Sequence, residues 1–261
     1  MKTLFYPLFF VCLIAASCSN EDNENNAEMS ISSCYVMKNS STQLESFSSP
    51  IGMYILTEDG QPYESGTYYA NYVSGAWSMN TPVYVTKKGS VYTYFPYKSG
   101  DNLPNLSLSL ADQVDFLYSK VATSIAPGSS SLTIKLYHAL SQLSVSIEGE
   151  EIASLSLQSP ATCKFNICTG VFTGTVLGTV TAQSGQMLVV PHTAAGTELK
   201  IVLKDGKEYT YPVSGTNYRT GENYTYQFQL NENRETLEIV SFSVEDWISD
   251  EIYHDYLRLA I

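Results

Sequence analysis

The chain has 261 residues, 44% of them hydrophobic and 15% charged, with 26 Asp and Glu against 14 Lys and Arg for a formal net charge of −12. That length and apolar content suffice for one large or two small cored domains. The acidic balance, with no basic cluster denser than Lys87-Lys88, excludes the counterion-displacing face that a nucleic-acid partner requires.

In chain order, the first segment is an address. Lys2 supplies a positive end, an apolar run from Leu4 to Ala16 follows, and Ala15-Ala16-Ser17 places small residues before Cys18. Residues 1–17 therefore read as a secretory signal peptide, set aside before any fold reasoning. The run is shorter than the roughly 20 residues that span a bilayer core of about 30 Å. Small residues leading into a cysteine resemble a lipobox, which makes Cys18 the expected lipidation site and the outer membrane an expected partner through that lipid. Residues 18–28, with Glu21, Asp22 and Glu24 among asparagines, read as a solvated acidic tether with nothing to bury.

Of five cysteines, Cys12 leaves with the signal and Cys18 takes the lipid. Cys34, Cys163 and Cys168 remain, an odd number that prevents a fully paired framework. Cys163 and Cys168 either bridge across a turn or stay as buried thiols. An odd separation would put them on opposite faces of a continuous strand.

The rest of the chain carries period-two alternation of β-branched and aromatic residues. Met53 to Leu56 is followed by Asp59-Gly60, and Val91-Tyr92-Thr93-Tyr94-Phe95 alternates cleanly. Leu132 to Leu136, Leu143 to Ile147 and Tyr224 to Leu230 repeat the habit, and Asp205-Gly206 between Leu199–Leu203 and Tyr209–Tyr211 is a two-residue hairpin signal. Many short strands with spaced turns predict an all-β protein of sandwich type. One short helix is expected over Leu110 to Tyr118, where Leu110, Val114 and Leu117 share a face. Ala126-Pro127-Gly128-Ser129-Ser130-Ser131 is the expected domain boundary. The expected organisation is then 29–126 and 127–248 as two sandwiches, with 249–261 as a C-terminal segment. Tyr68, Tyr69 and Tyr72 are candidates for a ligand surface toward a host protein or glycan, since tyrosine gives rigid contact area at low entropy cost. Cross-strand ring packing inside a sandwich is the competing reading for them and for Tyr92 and Tyr94.

Catalysis needs converging groups, and His138, His192 and His254 are far apart in different contexts. His138 reads as a structural hydrogen-bonding residue. Asp246, Asp250, Glu251, His254 and Asp255 cluster locally, but their spacing matches no metal loop, and an acidic run is usually a solvated turn. No enzymatic activity, metal site or cofactor is expected.

Several blocks, in order, resemble the fimbrillin family, the type V pilus subunits of Bacteroidetes. These are Val91 to Tyr97 with its Phe-Pro-Tyr end, Asp115-Phe116-Leu117-Tyr118-Ser119, Leu136 to Leu143 with its histidine, Gly221 to Phe228, and Leu237 to Phe242 running on to Asp246-Trp247. The resemblance implies two tandem transthyretin-like β-sandwich domains, export as a lipoprotein to the cell surface, and assembly with other pilus subunits by strand exchange. In that scheme an N-terminal strand is removed by a cut after a basic residue. Lys38 is the only basic residue between Cys18 and Lys87, and the first arginine is Arg219. The C-terminal segment, with Tyr253, Leu257, Leu259 and Ile261 on one strand face and Asp255 interrupting, is the candidate donor strand; pairing within its own domain is the alternative. The rival reading is a monomeric surface lipoprotein that binds glycans or host proteins.

Overall fold

The computed structural model describes residues 27–39, 42–64, 68–129 and 131–247. Among them every regular element is a strand. In chain order these are β1 (Ala27–Glu28), β2 (Ser30–Met37), β3 (Gln43–Ser46), β4 (Ile51–Thr57), β5 (Tyr68–Val73), β6 (Ala76–Met79), β7 (Tyr84–Val85), β8 (Gly89–Phe95), β9 (Asn105–Ser109), β10 (Leu117–Tyr118) and β11 (Thr123–Ile125). They continue with β12 (Ser131–His138), β13 (Ser141–Ile147), β14 (Ile152–Asn166), β15 (Val171–Ala182), β16 (Gln186–Val189), β17 (His192–Thr193), β18 (Glu198–Leu203), β19 (Glu208–Pro212), β20 (Asn217–Tyr218), β21 (Glu222–Leu230) and β22 (Leu237–Asp246).

A nine-stranded sheet runs β3-β2-β12-β10-β8-β4-β5-β6, with β11 also on β8. It curls enough to bring β6 back against β2. Its concave side encloses a core that includes Ile31, Cys34, Val36, Ile51, Met53, Ile55, Val91 and Leu132, Ile134, Leu136. A four-stranded sheet, β16-β13-β21-β22, and a five-stranded one, β15-β14-β18-β19 with β9 on β14, form the second unit. Leu143, Val145 and Ile147 from one sheet meet Leu155, Leu157, Leu199 and Ile201 from the other in a second core.

The alternation at Val91 to Phe95 has a specific cause. Val91 and Phe95 belong to the first core, whereas Tyr94 belongs to the second with Tyr92 packed against it, so β8 is a wall shared by both. Tyr92 also stands opposite Tyr54 across β4 and β8, the cross-strand arrangement that competes with a ligand surface.

The expected helix over Leu110 to Tyr118 is absent. Gln113 has φ of 51°, a left-handed value that no α-helix tolerates, and Leu117–Tyr118 is the short strand β10. The apolar residues there serve two cores: Leu110, Phe116 and Tyr118 face the second, and Leu117 faces the first. The Ala126 to Ser131 segment contains the Ala126–Ser129 bridge and joins β11 to β12, both strands of the first sheet. Exchange between the units lies around it: β9 joins the second unit before that segment, and β12 stays with the first after it.

Candidate functional site

Among the described residues the parallel pairs are β13 with β21 and β12 with β2, and the second involves the N-terminal end of the fold. β2 lies between β3, antiparallel, and β12, parallel, in registers that run from Ser30 opposite Ser131 to Met37 opposite Tyr137. Parallel neighbours need a long crossover, and here the intervening chain is most of the first unit. A register shift between Leu132 and Thr133 resets the alternation, so that Ile31, Cys34 and Val36 all point inward. Ser32 Oγ donates to the Leu132 carbonyl at 2.7 Å. Met29, just ahead, is buried, and its N–H donates to the Val83 carbonyl at 2.7 Å. Burial pushes the Cys34 thiol up to about 12, against a weaker opposing effect of the Tyr35 backbone hydrogen bond. The thiol stays protonated and packs as a small apolar group.

Lys38 follows β2 directly and is half-buried, its backbone N–H donating to the Thr42 carbonyl at 2.8 Å. A backbone cut after Lys38 would separate β1 and β2 from everything else in the fold, leaving them held by pairing and packing alone. Cys18 and the segment carrying Tyr253, Leu257, Leu259 and Ile261 lie outside the described residues.

The tyrosine candidates divide three ways. Tyr68 is only 4% exposed, donates its hydroxyl to the Tyr63 carbonyl at 2.9 Å, and is pushed up to about 12 by burial first and Glu64 second. It is a core residue, which corrects its reading as a ligand contact. Tyr69 is half-buried and stacked on Tyr97 with centroids 4.6 Å apart. Tyr72 is 43% exposed and meets Trp77 edge-on at 5.4 Å. These two rings border a groove of about 560 Å³ between the β5–β6 hairpin and β2–β3, whose lining includes Ser32, Tyr35, Ser46 and Ser48 and no charged side chain. Trp77 was not singled out by the sequence reasoning. Its signal was the Ser74-Gly75 turn, which folds β6 back to put Trp77 opposite Tyr72.

His138 sits where the two units meet. Its Nδ1 is 2.8 Å from Asp115 Oδ2, and its ring stacks on Trp247 at 3.8 Å and 20°. All three are buried, with Trp247 fully enclosed. The structural role expected for His138 matches this geometry, and the stack fixes the chain at the residue from which the C-terminal segment departs. His192 Nδ1 is 2.7 Å from the Val190 carbonyl; burial holds its imidazole below the ordinary value, partly offset by that contact. Cys34, Cys163 and Cys168 are free thiols, with Cys163 and Cys168 both raised to about 11 by burial. Among the described residues no group of His, Cys, Asp and Glu is placed to hold a metal ion, and of the acidic C-terminal cluster only Asp246 is described.

Comparison with known proteins follows the same lines. A family model described as fimbrillin-like matches residues 20–247. The fold is similar to a candidate cell adhesion protein from Bacteroides uniformis, at 15% identity and TM-score 0.63, covering 85% of this chain and 99% of that one. A second candidate cell adhesion protein, from Bacteroides ovatus, gives 17% identity and TM-score 0.60 over 87% of this chain and 99% of its own. A fimbrial protein from Bacteroides vulgatus gives 12% and 0.51, over 84% and 99%. No curated protein matches by sequence.

Proposed function

Because the chain belongs to the fimbrillin-like family, we propose that it is a structural or adhesive subunit of a cell-surface fimbrium, joined to its neighbours by exchange of one β-strand. The observation that carries this reading is the position of β2, the N-terminal eight-residue strand that lies inside a sheet, fills one side of a core, and is tied to the rest by a single connection at Lys38. Taking it away leaves two unpaired strand edges, on β12 and β3, above an exposed apolar trough. Strand addition from another chain satisfies both the backbone groups and the apolar surface at once.

On this reading the chain is exported as a lipoprotein through Cys18, its two tandem sandwiches are transthyretin-like, and residues 252–261 of one subunit enter the place of β2 in the next. A subunit that keeps its lipid and its β2 would instead anchor the fimbrium. The test is mass determination of protein recovered from cells, alongside gel ladders of undissociated polymer. Loss of residues up to Lys38 in the polymer supports exchange. Lipidated chains that begin at Cys18, retain β2 and are confined to the base support the anchor, and a uniformly monomeric chain defeats both.

A second reading, a surface lipoprotein that binds glycans or host proteins, is favoured by one observation: the uncharged groove beside Tyr72 and Trp77. Sugar-dependent stabilisation of the monomer, lost in Trp77→Ala, would support it.

A further inference from the structure

We propose that β15 is a second assembly edge, through which two copies of this chain pair side by side as antiparallel strands about a two-fold axis. This contact is independent of strand exchange at β2.

β15 is the outermost strand of the five-stranded sheet, with β14 on one side and, among the described residues, no strand on the other. Such an edge offers a row of backbone donors and acceptors to any second strand, and proteins commonly blunt it with lysine, proline or inward charge. β15 carries no lysine, proline or charge; the one protective feature it has is the bulged pairing around Val176, and the edge beyond it is regular. From Phe165 to Thr197 the chain carries no Asp, Glu, Lys or Arg, and the only proline in that stretch, Pro191, lies beyond β15. Val171, Val176 and Leu177 are 50%, 61% and 74% exposed along it.

The occupant follows from charge. Two copies of a chain with a net charge of −12 repel over most of their surfaces, so a self-contact is favoured only where the surface is neutral. β15 supplies such a surface, and a two-fold axis matches neutral edge to neutral edge. The other long exposed edge, β22, carries Ile239, Val240, Phe242 and Val244 but also Glu238, Glu245 and Asp246, which would face like charges in a two-fold pair. The pairing of β15 with β14 shifts on either side of Val176 and is regular from Leu177 to Ala182. At about 3.3 Å per residue that regular edge is roughly 20 Å long. The contact is therefore at the small, transient end of specific interfaces, and matters where copies are crowded on a surface or along a filament.

Sedimentation velocity on the full chain over rising concentration tests this. The expected result is a monomer–dimer equilibrium that strengthens with salt, because salt screens the acidic repulsion while leaving a neutral strand contact intact. Leu177→Lys, at an exposed site, should weaken dimerisation tenfold or more. Val121→Lys, 81% exposed outside β15, changes net charge equally and should not weaken it. A Thr179→Cys variant should give a disulfide-linked dimer in excess of the wild type. A chain that stays monomeric to about 1 mM, equal behaviour of the two lysine variants, or a dimer whose cross-links map to residues 252–261 would each overturn the proposal.

Discussion

The seating of β2 makes a chemical prediction at Cys34. The reactive form of a cysteine is its thiolate. With the thiol raised from 9.0 to about 12, the thiolate fraction at pH 8 falls from roughly one in ten to one in ten thousand, about a thousandfold. Steric protection acts in the same direction, since Cys34 is 2% exposed. Cys34 borders the groove beside Tyr72 and Trp77, but at 2% exposure its full access comes with departure of β2, and that exposes Met29, Ile31, Val36 and Met37 as well. At about 1.5–3 kcal/mol for each fully buried side chain, the displacement costs on the order of 6–12 kcal/mol as an upper bound. The assay is pulse alkylation with iodoacetamide at pH 8, read as the mass of the Cys34 peptide in folded chain and in urea. Folded chain should label at least a thousandfold more slowly. Labelling within tenfold of the unfolded rate would refute the seating of β2, and with it the groove that its removal is proposed to open.

Three further outcomes follow from the packing. Trp247→Ala removes a fully buried ring from the stack on His138 and should cost about 3–5 kcal/mol, seen as a lower urea midpoint; a loss below 1 kcal/mol would deny the stack its role. Gly52→Ala places a methyl inside the Tyr94 ring, which has no exposed surface to retreat to, so the melting temperature should drop by several degrees, as ~1–3 kcal/mol of overpacking implies. His192 has a folded-state value below its ordinary 6.5, so the unfolded chain binds the proton first and stability falls as pH drops below 6.5. His192→Gln should show a shallower loss of urea midpoint between pH 7 and pH 5 than the parent, and equal slopes would contradict this.

The local grammar of the fold was legible. Alternation marked β8, β12, β13 and β21, and Asp205-Gly206 marked the β18–β19 hairpin, where Gly206 takes φ of 87°. Partner choice was not legible, because a period of two states which face is buried and says nothing about which strand lies alongside. β12 reads like the start of a second unit, yet it pairs with β2 a hundred residues earlier, and β9 crosses to β14. The apolar spacing at Leu110, Val114 and Leu117 fits one helical face, but the three go different ways: Leu110 joins the second core, Leu117 on β10 joins the first, and Val114 is half-buried. Tyr68 and Tyr72 share a parity on β5, and only the length of the core beneath them separates the buried ring from the exposed one. The mutual burial of Asp115, His138 and Trp247 depends on three distant segments meeting, which spacing cannot show.

The central claim is that β12 changes partner when subunits assemble. Lys135 is exposed on β12 and stands opposite Tyr35 of β2. A photo-reactive residue at position 135, activated in purified polymer and mapped by mass spectrometry, reads that partner directly. The account predicts adducts to residues 252–261 of a neighbouring subunit and none to the chain's own β2. Adducts to residues 30–37 of the same chain, in material that is fully polymerised, would contradict it.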